Sequence, residues 1–271
     1  MKTSVIIADG TFPCATAPLQ GAYETVFPMA AEIGYDAVQL TVNRPECVNV
    51  ALIQKLVEQT GLCVSGVATG MGYTVDGLCL GAGDEEIRRK AVERMKGHID
   101  LARALDGAMV IIGAIRGRFH DAGGAELFYR QFHRSVEEVV TYAEQKKIVV
   151  ILEANDHLET DAYITIRDTA RFIRDFHTPF FKLHLDTMHM LYENEGIEAP
   201  ILENADILAQ VDISGEDRSC PCEGGYDYPS VVRALKKAGF GGYLAFEYRP
   251  EPPENGAKIG YDYIRSLIDL L

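Results

Sequence analysis

Four carboxylates each close a strand-like run in the second half of the chain, and their spacing restricts the folds open to it. KIVVILE ends at Glu153, FKLHLD at Asp186, LAQVDIS carries Asp212 and GYLAFE ends at Glu247. The intervals are 33, 26 and 35 residues, about one βα unit each. Strand parity agrees in all four. Ile151 and Glu153 share a face, as do His184 and Asp186, Gln210 and Asp212, and Ala245 and Glu247, whereas Leu152, Leu185, Val211 and Phe246 fall on the other. Upstream, Ser4–Asp9, Tyr35–Thr41, Leu62–Ala68 and Ala108–Ile115 read as four further strands. Helical spacing covers Tyr23–Glu32, Val48–Gln59, Asp84–Leu105, Ala125–Gln145, Ala162–Phe176, a short Ile201–Ile207, Tyr228–Ala238 and Tyr261–Leu271. Pro28 must kink the first of these or sit in its opening turn. Asp84–Leu105 is the clearest, with three acids in its first turn and a stripe of Val92, Met95, Ile99, Ala102 and Leu105.

Eight strands alternating with helices predict an α/β fold, either a closed parallel barrel or a doubly wound open sheet. The open sheet usually carries a glycine-rich phosphate turn after its first strand, and ADGTFPC is not GxGxxG. The polar ends of strands five to eight match the catalytic face of a barrel. The sequence therefore predicts a single (β/α)8 TIM barrel domain over residues 1–271, with no linker or low-complexity break. The long loop TGMGYTVDGLCL after strand three is expected to carry function at its mouth.

Charge narrows the partners. With 26 Lys and Arg against 40 Asp and Glu, the net charge of −14 lacks the basic footprint that nucleic acid or an anionic membrane surface requires. No run of about 18 apolar residues exists, and Asp9 ends the short apolar stretch at the N-terminus, so a cytoplasmic protein is expected. The six cysteines form no CxxC pair and read as reduced thiols, with Cys220-Pro-Cys222 the only close pair.

Glu153, Asp186, Asp212 and Glu247 cannot all ionise at one barrel mouth without a cation, because like charges raise one another's pKa. An all-oxygen set suits one divalent ion, Mn²⁺ or Mg²⁺, better than Zn²⁺. Such an ion can chelate two neighbouring sugar oxygens and acidify a carbon beside them. Two glutamates from non-adjacent strands can then remove and return a proton on opposite faces of that carbon. For a single strand-end acid, simple solvation is the commoner explanation; four in register shift the balance to a metal site. Arg116 and Arg118 after strand four, with Arg218, could gather at the same face to bind an anionic group, or pair with the site's own acids. His184, on the inward face below Asp186, reads as a hydrogen-bonded interior histidine. His98, His120, His133 and His177 have no partner pattern and read as surface groups.

The motifs EIGYDAVQL, LDGAMVIIG, LEANDHLET, HLDTMHM, DISGEDR and GFGGYLAFEYRP together resemble the xylose isomerase-like barrel enzymes over essentially the whole chain. That group includes sugar phosphate isomerases and epimerases such as D-tagatose 3-epimerase and hydroxypyruvate isomerase. The resemblance implies a sugar or sugar-phosphate epimerase or isomerase working through a cis-enediolate. It makes Glu153, Asp186, Asp212 and Glu247 the metal ligands, with Glu153 and Glu247 doubling as the catalytic acid–base pair. It assigns Glu159, His189 and Arg218 to substrate. Relatives usually carry a histidine where this chain has Asp212, which implies a harder metal preference here, and often a glutamate where it has Gln39. Relatives are often dimers or tetramers, which implies a homo-oligomer.

Three rival readings remain open at this level. A keto-polyol (inosose-type) dehydratase begins with the same proton removal. An endonuclease IV-like repair enzyme shares the barrel but needs more histidine ligands and a basic surface. A non-catalytic sugar-binding relic would have no chemical need for two opposed bases.

Overall fold

The computed structural model describes residues 1–12, 14–222, 225–253 and 255–271. Among them, eight parallel strands form the barrel: β1 (Lys2–Ala8), β2 (Ala37–Thr41), β3 (Cys63–Ala68), β4 (Met109–Ile112), β5 (Val150–Glu153), β6 (Phe181–Asp186), β7 (Leu208–Ile213) and β8 (Tyr243–Phe246). They pair in sequence order, and β1 closes on β8 with Lys2 opposite Tyr243 and Val5 opposite Phe246. A two-residue strand, Leu19–Gln20, pairs with the end of β1. Outside lie α1 (Tyr23–Ile33), α2 (Val50–Thr60), α3 (Glu85–Ala104), α4 (Ala125–Lys146), α5 (Ile166–Arg174), α6 (Glu198–Glu203), α7 (Tyr228–Lys237) and α8 (Gly256–Leu270). The predicted (β/α)8 TIM barrel is the observed fold.

Two layers follow from strand parity. Val5, Ile7, Val38, Leu40, Leu152, Leu183, Leu185, Val211 and Phe246 point outward into the main apolar core beneath the helices. The interior is polar: Ser4 and Ser65 hydroxyls meet at 2.6 Å, and the Gln210 amide donates to Gln39 at 2.7 Å. Ile6, Ala8 and Ala17 form a small separate apolar patch there. The outer helices are started by side chains that accept the first free amides: Asp84 for α3, Asn49 for α2, Thr165 for α5 and Asp227 for α7. Gly34 ends α1 at φ 110°, a conformation open to glycine, as its position after the predicted helix implies.

The structure corrects several expected details. Of the two placements expected for Pro28, the opening turn is excluded, since it sits inside α1 beyond that turn. Strand four stops at Ile112 rather than Ile115, because Ala114–Arg116 form a 3-10 turn that folds Arg116 back over the strand. The helix expected from Ala162 starts at Ile166, since Tyr163 takes a φ of 57° and Thr165 supplies the cap. The last helix starts at Gly256, five residues before Tyr261. Gly260 hides its periodicity, and glycine is required there: a β-carbon would stand 2.2 Å from the Tyr248 hydroxyl oxygen. His98 is not a surface group; it is fully buried, with ring nitrogens 2.8 Å from the Arg94 carbonyl and 3.0 Å from that of Val42. No helix of the described residues is long and apolar enough to cross a membrane.

Candidate metal and sugar site

The C-terminal ends of the strands surround a cavity of about 270 Å³, lined among others by Glu153, His184, Asp212, Arg218 and Glu247. The loop after β3 contributes Thr69, Gly70, Met71 and Thr74 to the same walls. One oxygen from each of Glu153, Asp186, Asp212 and Glu247 lies within 4.8 Å of the others. The strands thus bring together the four acids that spacing alone had grouped. Glu153 closes β5, Asp186 closes β6, Asp212 lies in β7, and Glu247 follows β8 directly.

Each acid is held by its own neighbours. Asp186 Oδ1 accepts from the Met188 and His189 amides at 2.7 and 3.4 Å, capping the short helix Thr187–Tyr192, and Arg218 donates to its other oxygen. Asp212 Oδ1 accepts from the Gln210 amide at 2.7 Å and stands 2.9 Å from His184 Nε2. The Thr16 hydroxyl donates to Glu247 Oε1 at 3.0 Å, and Arg218 lies 3.1 Å from Oε2. Glu153 approaches the backbone of Gly113 so closely that a β-carbon there would stand 2.8 Å from Oε2. Glycine at 113 makes room for the carboxylate.

The electrostatics show a surplus of negative charge. Burial pushes the Glu247 carboxyl up to about 8; Arg218 opposes this, while Asp212, Asp186 and Glu153 add to it. His184 is raised to about 9: burial disfavours its charge, but Asp212 and Glu153 outweigh that. Burial opposes charge on Glu153 as well, yet His184, His189 and Arg218 hold it below the usual carboxylate range. One guanidinium and two imidazoles thus stand against four clustered acids. Oxygen donors crowded this closely fit a divalent cation, and Glu153, Asp186, Asp212 and Glu247 could hold one.

The remaining predicted residues divide. Glu159 lines the cavity, is 44% exposed, and accepts from the Asn155 amide at 3.2 Å. Arg218 also lines it, 3.9 Å from Glu159. His189 is buried behind the acids, with Nδ1 2.7 Å from Asp156 Oδ2 and Nε2 3.6 Å from Glu153 Oε1. Arg116 is a correction. It is fully buried, and its guanidinium donates inward to the carbonyls of Gly113, Ala162, Ile112 and Glu153 and to the Asn155 side chain, so no part of it faces a ligand. Arg118 likewise turns away, to the Leu158 carbonyl and Asp161.

Sequence reasoning missed Asp156. It is fully buried, and its Oδ1 accepts the Leu158 and Glu159 amides at 2.8 and 3.1 Å while Oδ2 meets His189. Its signal was available in LEANDHLE, where it lies between the two acids already singled out. Gln210 was also missed as the group that orients Asp212, although its parity with Asp212 was visible.

Among curated proteins, the chain is 27% identical over 223 residues to the L-ribulose 3-epimerase of Methylomonas sp. (strain DH-1), covering 80% of this chain and 75% of that one. It is 26% identical over 219 residues to the ketose 3-epimerase of Arthrobacter globiformis, covering 80% and 74%. Among solved structures, D-psicose 3-epimerase from Clostridium cellulolyticum H10, determined with D-tagatose, superposes with a TM-score of 0.84 at 18% identity over 99% of each chain. That likeness confirms the barrel. The family model described as xylose isomerase-like TIM barrel matches residues 27–267, nearly the whole chain, and this protein belongs to that family.

Proposed function

We propose that the chain is a divalent-metal-dependent ketose epimerase. The observation that supports this most is that Glu153 and Glu247 reach the same cavity from strands separated by two others, with Asp186 and Asp212 between them. Glu153, Asp186, Asp212 and Glu247 would hold one ion, Mn²⁺ or Mg²⁺. When bound, it would polarise the ketose carbonyl and a neighbouring hydroxyl and so acidify the C–H beside the carbonyl. Glu153 takes that proton from one face of the carbon, leaving an enediolate, and Glu247 delivers a proton to the other face. Thr16 fixes Glu247 for this role, and Gly113 keeps Glu153 within reach. Glu159 and Arg218, which line the cavity, would position the sugar hydroxyls, while His189, expected from its motif to touch substrate, stands behind them in contact with Asp156 and Arg218. The relatives named above act on ketoses by their names, which favours epimerisation over the dehydratase and binding-relic readings.

The cavity favours an unphosphorylated sugar. The charge of Arg218 is already balanced by Asp186 and Glu247, and Arg116 spends its donors on backbone carbonyls and Asn155, so neither charge is left to a dianion. A chain of net charge −14 is also a poor partner for nucleic acid or an anionic membrane. We read residues 1–271 as one domain, cytoplasmic and homo-oligomeric by analogy with the family.

The test is proton exchange. The Mn²⁺-loaded protein is incubated in D₂O with a panel of free ketoses and followed by NMR. Deuterium should enter the carbon next to the carbonyl, and Glu153→Gln, Glu247→Gln or chelation should each slow this by about 10²–10⁴-fold. Exchange that survives chelation would refute the metal requirement, and a product that has lost a hydroxyl would replace epimerisation with dehydration.

A further inference from the structure

The four acids are not the only donors in the cavity. Glu153, His184 and Asp212 form a second group in which one imidazole nitrogen and one oxygen from each carboxylate lie within 4.8 Å of one another. His184 is 1% exposed and lines the cavity. Its placement is specific. The pairing of β6 with β7 shifts register between Leu183 and His184, so that His184 faces Gln210 and Asp186 faces Asp212. Irregularities of this kind re-aim side chains beside active sites. Here the shift keeps four polar side chains of two adjacent strands on the interior face.

The imidazole is only half used by the protein. Nε2 stands 2.9 Å from Asp212 Oδ1 and 3.4 Å from the Gln210 amide nitrogen, while Nδ1, buried, has no partner among the described residues. A buried polar atom without a partner is costly and calls for an explanation. The other histidine near the acids is differently placed. Both nitrogens of His189 are occupied: Nδ1 meets Asp156 at 2.7 Å, and Nε2 faces a nitrogen of the Arg218 guanidinium at 3.3 Å. A guanidinium carries donors only, and an ion beside it would meet like charge. Arg218 also takes one oxygen of Asp186, whose other oxygen caps the following helix. The side of the cluster clear of the Arg218 guanidinium is therefore that of Glu153, His184 and Asp212, with Glu247 shared between the two sides.

Resting on the metal-dependent reading above, we propose that His184 is a nitrogen ligand of the divalent ion, beside the carboxylate oxygens. A mixed nitrogen–oxygen set favours Mn²⁺ and later transition ions over Mg²⁺, which prefers oxygen alone. This reverses the harder preference that Asp212 alone would imply.

Pulsed EPR of the Mn²⁺-loaded full chain tests this without reference to turnover. The proposal expects nitrogen modulation from a coordinated imidazole, converted to the ¹⁵N pattern when histidines are ¹⁵N-labelled. It should persist in His189→Gln and vanish in His184→Gln. The latter should also lower Mn²⁺ affinity by about tenfold or more, with a smaller change for Mg²⁺. Loss in His189→Gln, or persistence in a folded His184→Gln, overturns the assignment. If His184→Gln does not fold, as judged by circular dichroism, the behaviour of His189→Gln still decides between the two rings. Mn²⁺ bound without histidine modulation in the unaltered protein sinks this inference and leaves the metal-dependent epimerase standing. No Mn²⁺ binding at all sinks both.

Discussion

Arg116 separates the sequence expectation from the structure most sharply, and replacing it by methionine gives a quantitative test. The side chain makes five inward hydrogen bonds: Nε to Gly113 at 3.1 Å, Nη1 to Ala162 at 3.3 Å, and Nη2 to Ile112, Glu153 and Asn155 at 3.2, 2.5 and 2.6 Å. Burial lowers its pKa to about 10, with Glu153 pulling the other way, so it stays charged at neutral pH. Methionine keeps most of the volume and removes every donor. Bonds from a charged donor contribute about 1.5–3 kcal/mol each, but the Gly113 carbonyl keeps the Arg116 amide as a second donor, and burying the cation carries its own cost. The net loss should be about 3–5 kcal/mol. At about 2–4 °C per kcal/mol for a chain of this order, Tm should fall by about 10 °C by differential scanning calorimetry. Ligand behaviour should move differently: inorganic phosphate should bind the unaltered protein and the variant equally weakly by isothermal titration calorimetry. A variant with unchanged Tm that had lost phosphate binding would show that Arg116 faces a ligand, and the reasoning from its buried donors would be wrong.

Other perturbations follow from the same contacts. Gly113→Ala places a β-carbon 2.8 Å from Glu153 Oε2 and should cut epimerisation kcat/KM by about 10²-fold, while the circular dichroism spectrum stays unchanged. Burial pushes the Asp156 carboxyl up, but the His189 hydrogen bond and charge prevail and hold it below its ordinary 3.8. It therefore binds fewer protons folded than unfolded, and its contribution is present above about pH 4 and drains as pH falls through the lowered pKa. Asp156→Asn should cost about 1.5–3 kcal/mol in urea unfolding at pH 7 and progressively less below pH 4; a pH-independent difference would refute the linkage. Asp84→Ala removes the side chain that accepts the Glu86 and Ile87 amides at 2.8 and 3.1 Å, and should lower stability by about 1 kcal/mol with no effect on ion binding.

The barrel was legible because its evidence is periodic. Alternation along each strand and the recurring strand-end acid are local signals, and they also placed Glu153, Asp186, Asp212 and Glu247 together. What escaped was set by how a side chain turns once it leaves the backbone. Arg116 and Arg218 both follow a strand end by a few residues, and both are arginines near acids. Gly113 breaks β4 early, so Arg116 folds back under the loop onto carbonyls. Left-handed backbone at Asp217 and Arg218, with φ of 54° and 58°, turns Arg218 over the mouth onto Asp186. Neither turn has a periodicity to read.

The two histidines of HLDTMH make the same point about chemistry. His189 was assigned to substrate from its motif and His184 to the interior from its parity, and the structure gives each a different neighbourhood. His184 keeps the strand's inward direction and so reaches the cavity, because parity is enforced by the sheet. His189 belongs to the helix that Asp186 caps, and the helix turns it away from the opening towards Asp156. Asp186 is thus both a candidate ligand and the residue that decides where the next histidine points. Its replacement by asparagine, which can still accept the Met188 amide, should leave the His189–Asp156 pair in place while removing one charge from the cluster. The size of the resulting loss of Mn²⁺ affinity then measures the ion's dependence on Asp186 itself: a large loss makes it a direct ligand, and near-invariance leaves the work to Glu153, His184, Asp212 and Glu247.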